Sequence, residues 1–328
     1  MGDVLMAGPA IRAVAAEPET EAWLLAGPRG RSAAGLLPGI AAIRTVGVPW
    51  ITAVDRPVDA ALVAEIDAVV DECRPDEALI LTSPHQSPLP IALLLRLAGV
   101  PRILGASVEA SAGLLDERWV PGETFPELIP EPERNLAIAR LAGYALPDGD
   151  DGRLRVDLPE GRPDGLPDRY LAVHPGAQYP AREYPAEHFA EVVRLLAAAG
   201  HAVVVTGGGH ERELTSRVAG ASGIALGGAH GLVDTARTLR GADVVIVGNT
   251  GPAHLAAAVG RPIVSLFSAV VPPERWAPYG VPVRLLGDRT AACRGTRATA
   301  CPIPGHPCLA GVTPREVVDA AESLLPRP

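Results

Sequence analysis

Asp243-Val-Val-Ile-Val-Gly-Asn-Thr-Gly-Pro-Ala-His254 decides the fold class. A run of β-branched residues with no polar interruption reads as a strand covered on both faces, which is the signature of a parallel sheet. The run passes into Asn249-Thr250-Gly251 and then into a small-residue helix from Ala253, with Pro252 suited to its first turn. The helix start offers unpaired backbone N–H groups and a partial positive charge, so Thr250, Gly251 and the amides beyond them can hold a phosphate. Asn249 or Thr250 reads equally well as a simple helix cap. His254 falls on the first turn, placed either to reach a ligand or to pack beneath the loop.

Two more loops of this kind lie upstream. In Leu171-Ala-Val-His-Pro-Gly-Ala-Gln178 an apolar strand ends at His174 and Gly176, and Arg182 precedes a helix starting near Ala186. Loops at the carboxyl ends of parallel strands bind ligands, and an arginine there can grip a diphosphate bidentately or serve only as a solvated charge. In Ala202-Val-Val-Val-Thr-Gly-Gly-Gly-His-Glu211 the glycines, Gly207 among them, let a backbone approach a ligand. Glu211 could accept ribose hydroxyls or favour the start of the next helix.

Further strands read at 78–82, 170–174, 202–206, 244–247 and 263–267, alternating with helices at 4–16, 61–72, 89–98, 133–142, 186–199, 232–239 and 314–325. This βαβα order implies parallel sheets. The 328 residues suit two domains. The stretch DGDDGRLRVDLPEGRPDGLP at 148–167 lacks helical periodicity, which sets the expected boundaries at 1–150, an exposed linker at 151–167, and 168–328. In the first half, Leu81-Thr-Ser-Pro-His-Gln-Ser-Pro88 ends a strand in a polar loop, where Thr82, Ser83, His85 and Gln86 either line a site or form ordinary turns.

A net charge of −9 excludes sequence-independent nucleic-acid binding, and no apolar run is long enough to span a membrane, so a cytoplasmic location is expected. All 29 basic residues are arginine, a bias of GC-rich coding that discounts the abundant Gly and Pro as disorder signals. Cys73 stands alone; Cys293, Cys301, His306 and Cys308 share one loop, but their spacing lacks the close Cys pair of a zinc ribbon. Packing or loop bracing is the expected role, with no metal.

Gly2-Asp3-Val4-Leu5 precedes a helix containing Pro9-Ala10-Ile11-Arg12-Ala13, where Asp3 reads either as a cap or as a general base. GDVLMAGPAIRAV, HPGAQYPAREYPAEHFAEVVRLL, VVVTGGGHERE and VGNTGPAHLAAAVGRPIVSLF, in this order, resemble the motifs of the heptosyltransferases of glycosyltransferase family 9. The resemblance covers nearly the whole chain. It implies a GT-B α/β fold, two doubly wound Rossmann-like domains facing across a cleft, with the acceptor on the first, the nucleotide sugar on the second, and the last helix crossing back. It implies inverting displacement with Asp3 as base, Arg182 on the phosphates, and an ADP-sugar donor, without metal or cofactor. The acceptor would be a glycan, a lipid-linked sugar or a small molecule.

The implied donor site comprises His174, Gly176, Arg182, Gly207, Glu211, Asn249, Thr250, Gly251 and His254. The acceptor site is Thr82, Ser83, His85 and Gln86. The chain departs from the family in reading Asn249 where members commonly have aspartate, and in lacking the strand that usually precedes the GDV motif. A GT-B nucleotide-sugar epimerase and a catalytically impaired nucleotide-sugar-binding protein are the alternatives. Release of nucleoside diphosphate only with acceptor, sugar interconversion, or neither separates the three.

Overall fold

The computed structural model describes residues 1–51 and 56–326. The chain forms two compact units that divide between Arg153 and Leu154. In the second, six parallel strands form one sheet in the order β8-β7-β6-β9-β10-β11. They are β6 (Leu171–His174), β7 (Val203–Val205), β8 (Ile224–Ala225), β9 (Val244–Gly248), β10 (Ile263–Leu266) and β11 (Val283–Leu286). Numbered within the unit this is 3-2-1-4-5-6, the doubly wound Rossmann order, whose switch point lies between β6 and β9. Every residue of β6, β7, β9 and β10 is buried, as expected of Val- and Ile-rich strands with helices on both faces.

The first unit holds β1 (Trp23–Ala26) paired in parallel with β2 (Ala42–Thr45), and β3 (Glu77–Ile80), β4 (Arg102–Ala106) and β5 (Glu117–Trp119) as a second parallel sheet. β1 and β3 both contribute residues to the core beneath the helix Ala60–Cys73, built on Leu62, Ile66, Ile80 and Ile103. Each keeps one edge without a strand partner among the described residues. All of β1 and three residues of β3 are only half-buried, in contrast to the central strands of the other unit.

One expectation is corrected. The helix at 4–16 is two helices, Gly2–Met6 and Gly8–Ala15; Pro9 offers no N–H to the Leu5 carbonyl, so the ladder breaks there. The segment at 151–167 holds no helix or strand, and an arginine from each unit binds to it. Arg12 binds the Asp150 carboxylate at 2.6 and 2.9 Å and the Arg153 carbonyl at 2.9 Å, while Arg240 donates to the carbonyls of Pro159 and Gly161, both at 2.7 Å. In the terminal helix Pro314–Glu322, Val317, Val318 and Ala321 bury into the second unit's core with Val264 and Leu266. Among the described residues no helix is long and apolar enough to cross a membrane.

Candidate functional site

In the first unit, the helix Gly2–Met6 buries Leu5 and Met6, which turns Asp3 outward. Asp3 lies in the first turn but makes no capping hydrogen bond, and Met1 occupies the cap position, so the capping alternative falls. Asp3 instead lines a shallow recess together with Met6, Leu81, Thr82, Ser83, Glu131 and Asn135. The loop after β3 is held in place from outside: buried Arg134 donates to the Thr82 carbonyl at 2.6 Å, and Gln86 Oε1 accepts the Ser83 N–H at 3.2 Å. Thr82 and Ser83 therefore join Asp3, whereas Gln86 closes the turn and exposed His85 does not line the recess.

Glu131 and Asn135 were not singled out from sequence. They stand four apart on the helix Glu131–Leu141 and share a face. That helix meets Gly8–Ala15 through Ala10, Ala13 and Ala139, whose single methyl groups allow close approach. Asn135 Nδ2 donates to the Met6 carbonyl at 3.3 Å, tying the helix that bears Asp3 to the helix that bears Glu131.

In the second unit the residues expected to hold the donor follow the carboxyl ends of β6, β7 and β9, neighbouring strands around the switch point. His174 ends β6, and its Nδ1 lies 3.0 Å from Thr206 Oγ1 at the end of β7; its Nε2 is 3.9 Å from Glu211. Burial pushes the His174 pKa below its ordinary value, against the opposing pull of Glu211, so the ring is neutral near pH 7. Glu211 Oε2 accepts the Gly208 N–H at 2.6 Å. A Cβ on Gly176 would sit 1.7 Å from Glu211 Oε1, and one on Gly207 would sit 2.5 Å from Thr215 Cγ2. Glycine at 176 leaves the space that the Glu211 carboxylate occupies, and glycine at 207 leaves the space of the Thr215 methyl.

Arg182 ends the short turn Pro180–Arg182, with its guanidinium over the Tyr179 ring at 5.4 Å. Its carbonyl would lie 3.2 Å from a Cβ on Gly248, so that glycine lets the Arg182 turn approach the end of β9. Asn249, Thr250, Gly251 and His254 follow directly, at the start of the helix Gly251–Ala258. Thr250 occupies the cap position, yet its hydroxyl makes no capping bond; Asn249 Oδ1 accepts the Ser268 N–H at 3.2 Å instead. Asn249 Nδ2, Thr250 Oγ1 and His254 Nδ1 are buried without a hydrogen-bond partner among the described residues.

Burial, with the Arg182 charge adding to it, holds the His254 pKa down at about 4. In the unfolded chain the ring titrates near 6.5, so between those values the unfolded state binds the extra proton and stability falls as the pH is lowered. The loss should approach about 3 kcal/mol at pH 4. Urea unfolding of the parent and His254→Gln at pH 7, 5.5 and 4.5 should show the parent losing more; parallel losses would reject the assignment.

The cysteine loop braces the Arg182 turn. Ala181 donates to the Thr299 carbonyl at 3.0 Å, while its own carbonyl accepts from Ser268 Oγ at 2.6 Å and His306 Nε2 at 3.1 Å. Cys293 and Cys308 are buried and Cys301 half-buried; burial and the neighbouring Cys308 and Cys301 raise the Cys293 thiol pKa. No group of three or more His, Cys, Asp or Glu side chains among the described residues is arranged to hold a metal ion.

The family model for glycosyltransferase family 9 (heptosyltransferase) matches residues 89–305. Lipopolysaccharide heptosyltransferase 2 of Escherichia coli (strain K12) is 25% identical over 282 residues, covering 77% of this chain and 76% of that protein. Among solved structures, a glycosyl transferase family 9 protein from Veillonella parvula aligns over 98% of this chain and 94% of its own, with a TM-score of 0.73 at 17% identity. E. coli heptosyltransferase WaaC with ADP aligns over 98% and 96%, with a TM-score of 0.72 at 19% identity. These likenesses identify the fold as GT-B.

Proposed function

The chain belongs to glycosyltransferase family 9 and is a glycosyltransferase, and from that premise we propose that it moves a heptose from an ADP-activated donor to an acceptor hydroxyl with inversion, in the cytoplasm. The acceptor is a glycan, a lipid-linked sugar or a small molecule bearing that hydroxyl. Asp3 takes the hydroxyl proton as the oxygen attacks the anomeric carbon, and the bond to the diphosphate breaks in the same displacement. Arg182 and the N-terminus of the helix Gly251–Ala258 stabilise the charge left on the departing ADP, and Glu211 accepts from the ribose hydroxyls. Thr82 and Ser83, with Glu131 and Asn135, hold the acceptor's polar face.

The observation that carries this reading is the recess in which Asp3 stands beside Thr82 and Ser83, with its carboxylate uncommitted to capping. For the donor, the support is the set of convergent groups at the switch point, where ligands of doubly wound sheets bind. A ligand that binds only the native state raises its stability by RT ln(1 + [L]/Kd), about 2.7 kcal/mol at a hundredfold excess over Kd. A thermal-shift panel of nucleoside diphosphates and nucleotide sugars should therefore show the largest rise with ADP and ADP-sugars. A preference for the uridine or guanosine forms would overturn the donor assignment.

A further inference from the structure

Asn249 presents a buried hydrogen-bond donor that the fold leaves unused. Its backbone N–H donates to the Leu266 carbonyl at 3.2 Å, and its side-chain Oδ1 accepts from Ser268 N–H at 3.2 Å. With the oxygen end committed, the amide orientation is set and Nδ2 must point the other way. The residue is 6% exposed, and Nδ2 has no partner among the described residues. Burying an amide N–H unsatisfied costs about 1–3 kcal/mol, so such a group is retained where something outside the chain answers it.

The neighbours narrow what that is. Thr250 Oγ1, buried and likewise without a partner among the described residues, lies at the start of the helix Gly251–Ala258, whose first N–H groups have no carbonyl partner within the helix. Ser268, which orients Asn249 through its N–H, also donates its hydroxyl to the Ala181 carbonyl beside Arg182. One buried serine thus holds the amide and the arginine turn in register. Nδ2 can only donate, and its residue leads into a hydroxyl and a helix N-terminus while Ser268 ties it to the Arg182 turn, a set suited to an anionic oxygen.

Resting on the donor reading above, we propose that Asn249 Nδ2 donates to a non-bridging oxygen of the distal phosphate of the nucleoside diphosphate, with Ser268 as the residue that positions it. An aspartate here would still accept from Ser268 N–H but would turn a second carboxylate oxygen, and a negative charge, toward the phosphate.

Calorimetric titration of the full chain with inorganic pyrophosphate, ADP and adenosine tests the assignment. Asn249→Asp should weaken pyrophosphate and ADP about tenfold or more and leave adenosine unchanged. Thr250→Val should weaken the same two ligands. Asn249→Asp binding pyrophosphate as the parent does, or losing adenosine equally, overturns the proposal while the donor reading stands. A parent that binds ADP but not pyrophosphate also overturns it. A parent that binds neither pyrophosphate nor any nucleoside diphosphate sinks the donor reading and the proposal together. Should Asn249→Asp fail to fold, Asn249→Ala, with its melting temperature checked, is read by the same criteria.

Discussion

Asp3→Asn should lower turnover by about 10²- to 10⁴-fold while leaving ADP binding and the melting temperature close to those of the parent. The size follows from the role: a positioned general base supplies roughly 3–5 kcal/mol of the barrier reduction, and the amide cannot take a proton. The structural alternative is much smaller. Asp3 makes no capping bond, so its replacement forfeits only the interaction of an exposed carboxylate with the helix N-terminus, about 0.3–1 kcal/mol. The two contributions differ enough for single-turnover rates and thermal melts, taken together, to separate them. Parental turnover by the variant would remove Asp3 as the base, and a collapse in stability would make its role structural.

The second large effect is expected at the switch point, where Arg182→Ala and Glu211→Ala should fail in different ways. Arg182→Ala removes charge-assisted hydrogen bonds to phosphate, and ADP should weaken about 10- to 100-fold while adenosine binds unchanged. Glu211→Ala should weaken ADP and adenosine alike, because a carboxylate can only accept and its proposed partners are ribose hydroxyls. Glu211 also accepts the Gly208 N–H, so its loss loosens that loop as well. Glu211→Gln, which keeps an acceptor for Gly208, serves as the control for that contribution. Calorimetry showing the same pattern for Arg182→Ala and Glu211→Ala would reject the division of labour.

The second unit is the more legible half because its central strands are short apolar runs, uninterrupted Val and Ile in β7 and β9, a pattern that is local in sequence, whereas two-residue β8 and Arg-bearing β11 escape it. In the first unit only β3 was read. β1, β2 and β5 are three or four residues long, half-exposed in large part and carry Trp, Arg or Glu, so they have neither the length nor the alternation that marks a strand. The loops proposed to hold the donor are visible for the same local reason, each being a strand, a turn and a helix start. Glu131 and Asn135 were not, since they lie more than a hundred residues from Asp3 and meet it only through the packing of two alanine-faced helices. The role of Ser268 was hidden likewise: nothing beside it in sequence announces that it touches both Asn249 and Ala181.

The open edges of β1 and β3 give the molecule an uneven resistance to opening. A four-residue parallel pair such as β1–β2 is marginal by itself, and here it leans on side-chain packing beneath one helix rather than on ladders to either side. β6 and β9 sit at the centre of a six-stranded sheet and can part only when much of that unit comes undone. Amide hydrogens of β6 and β9 should accordingly trade with solvent deuterium only through rare, near-global excursions, while those of β1 and β2 trade through frequent local ones. The chain thus carries a slow clock in one unit and a fast one in the other.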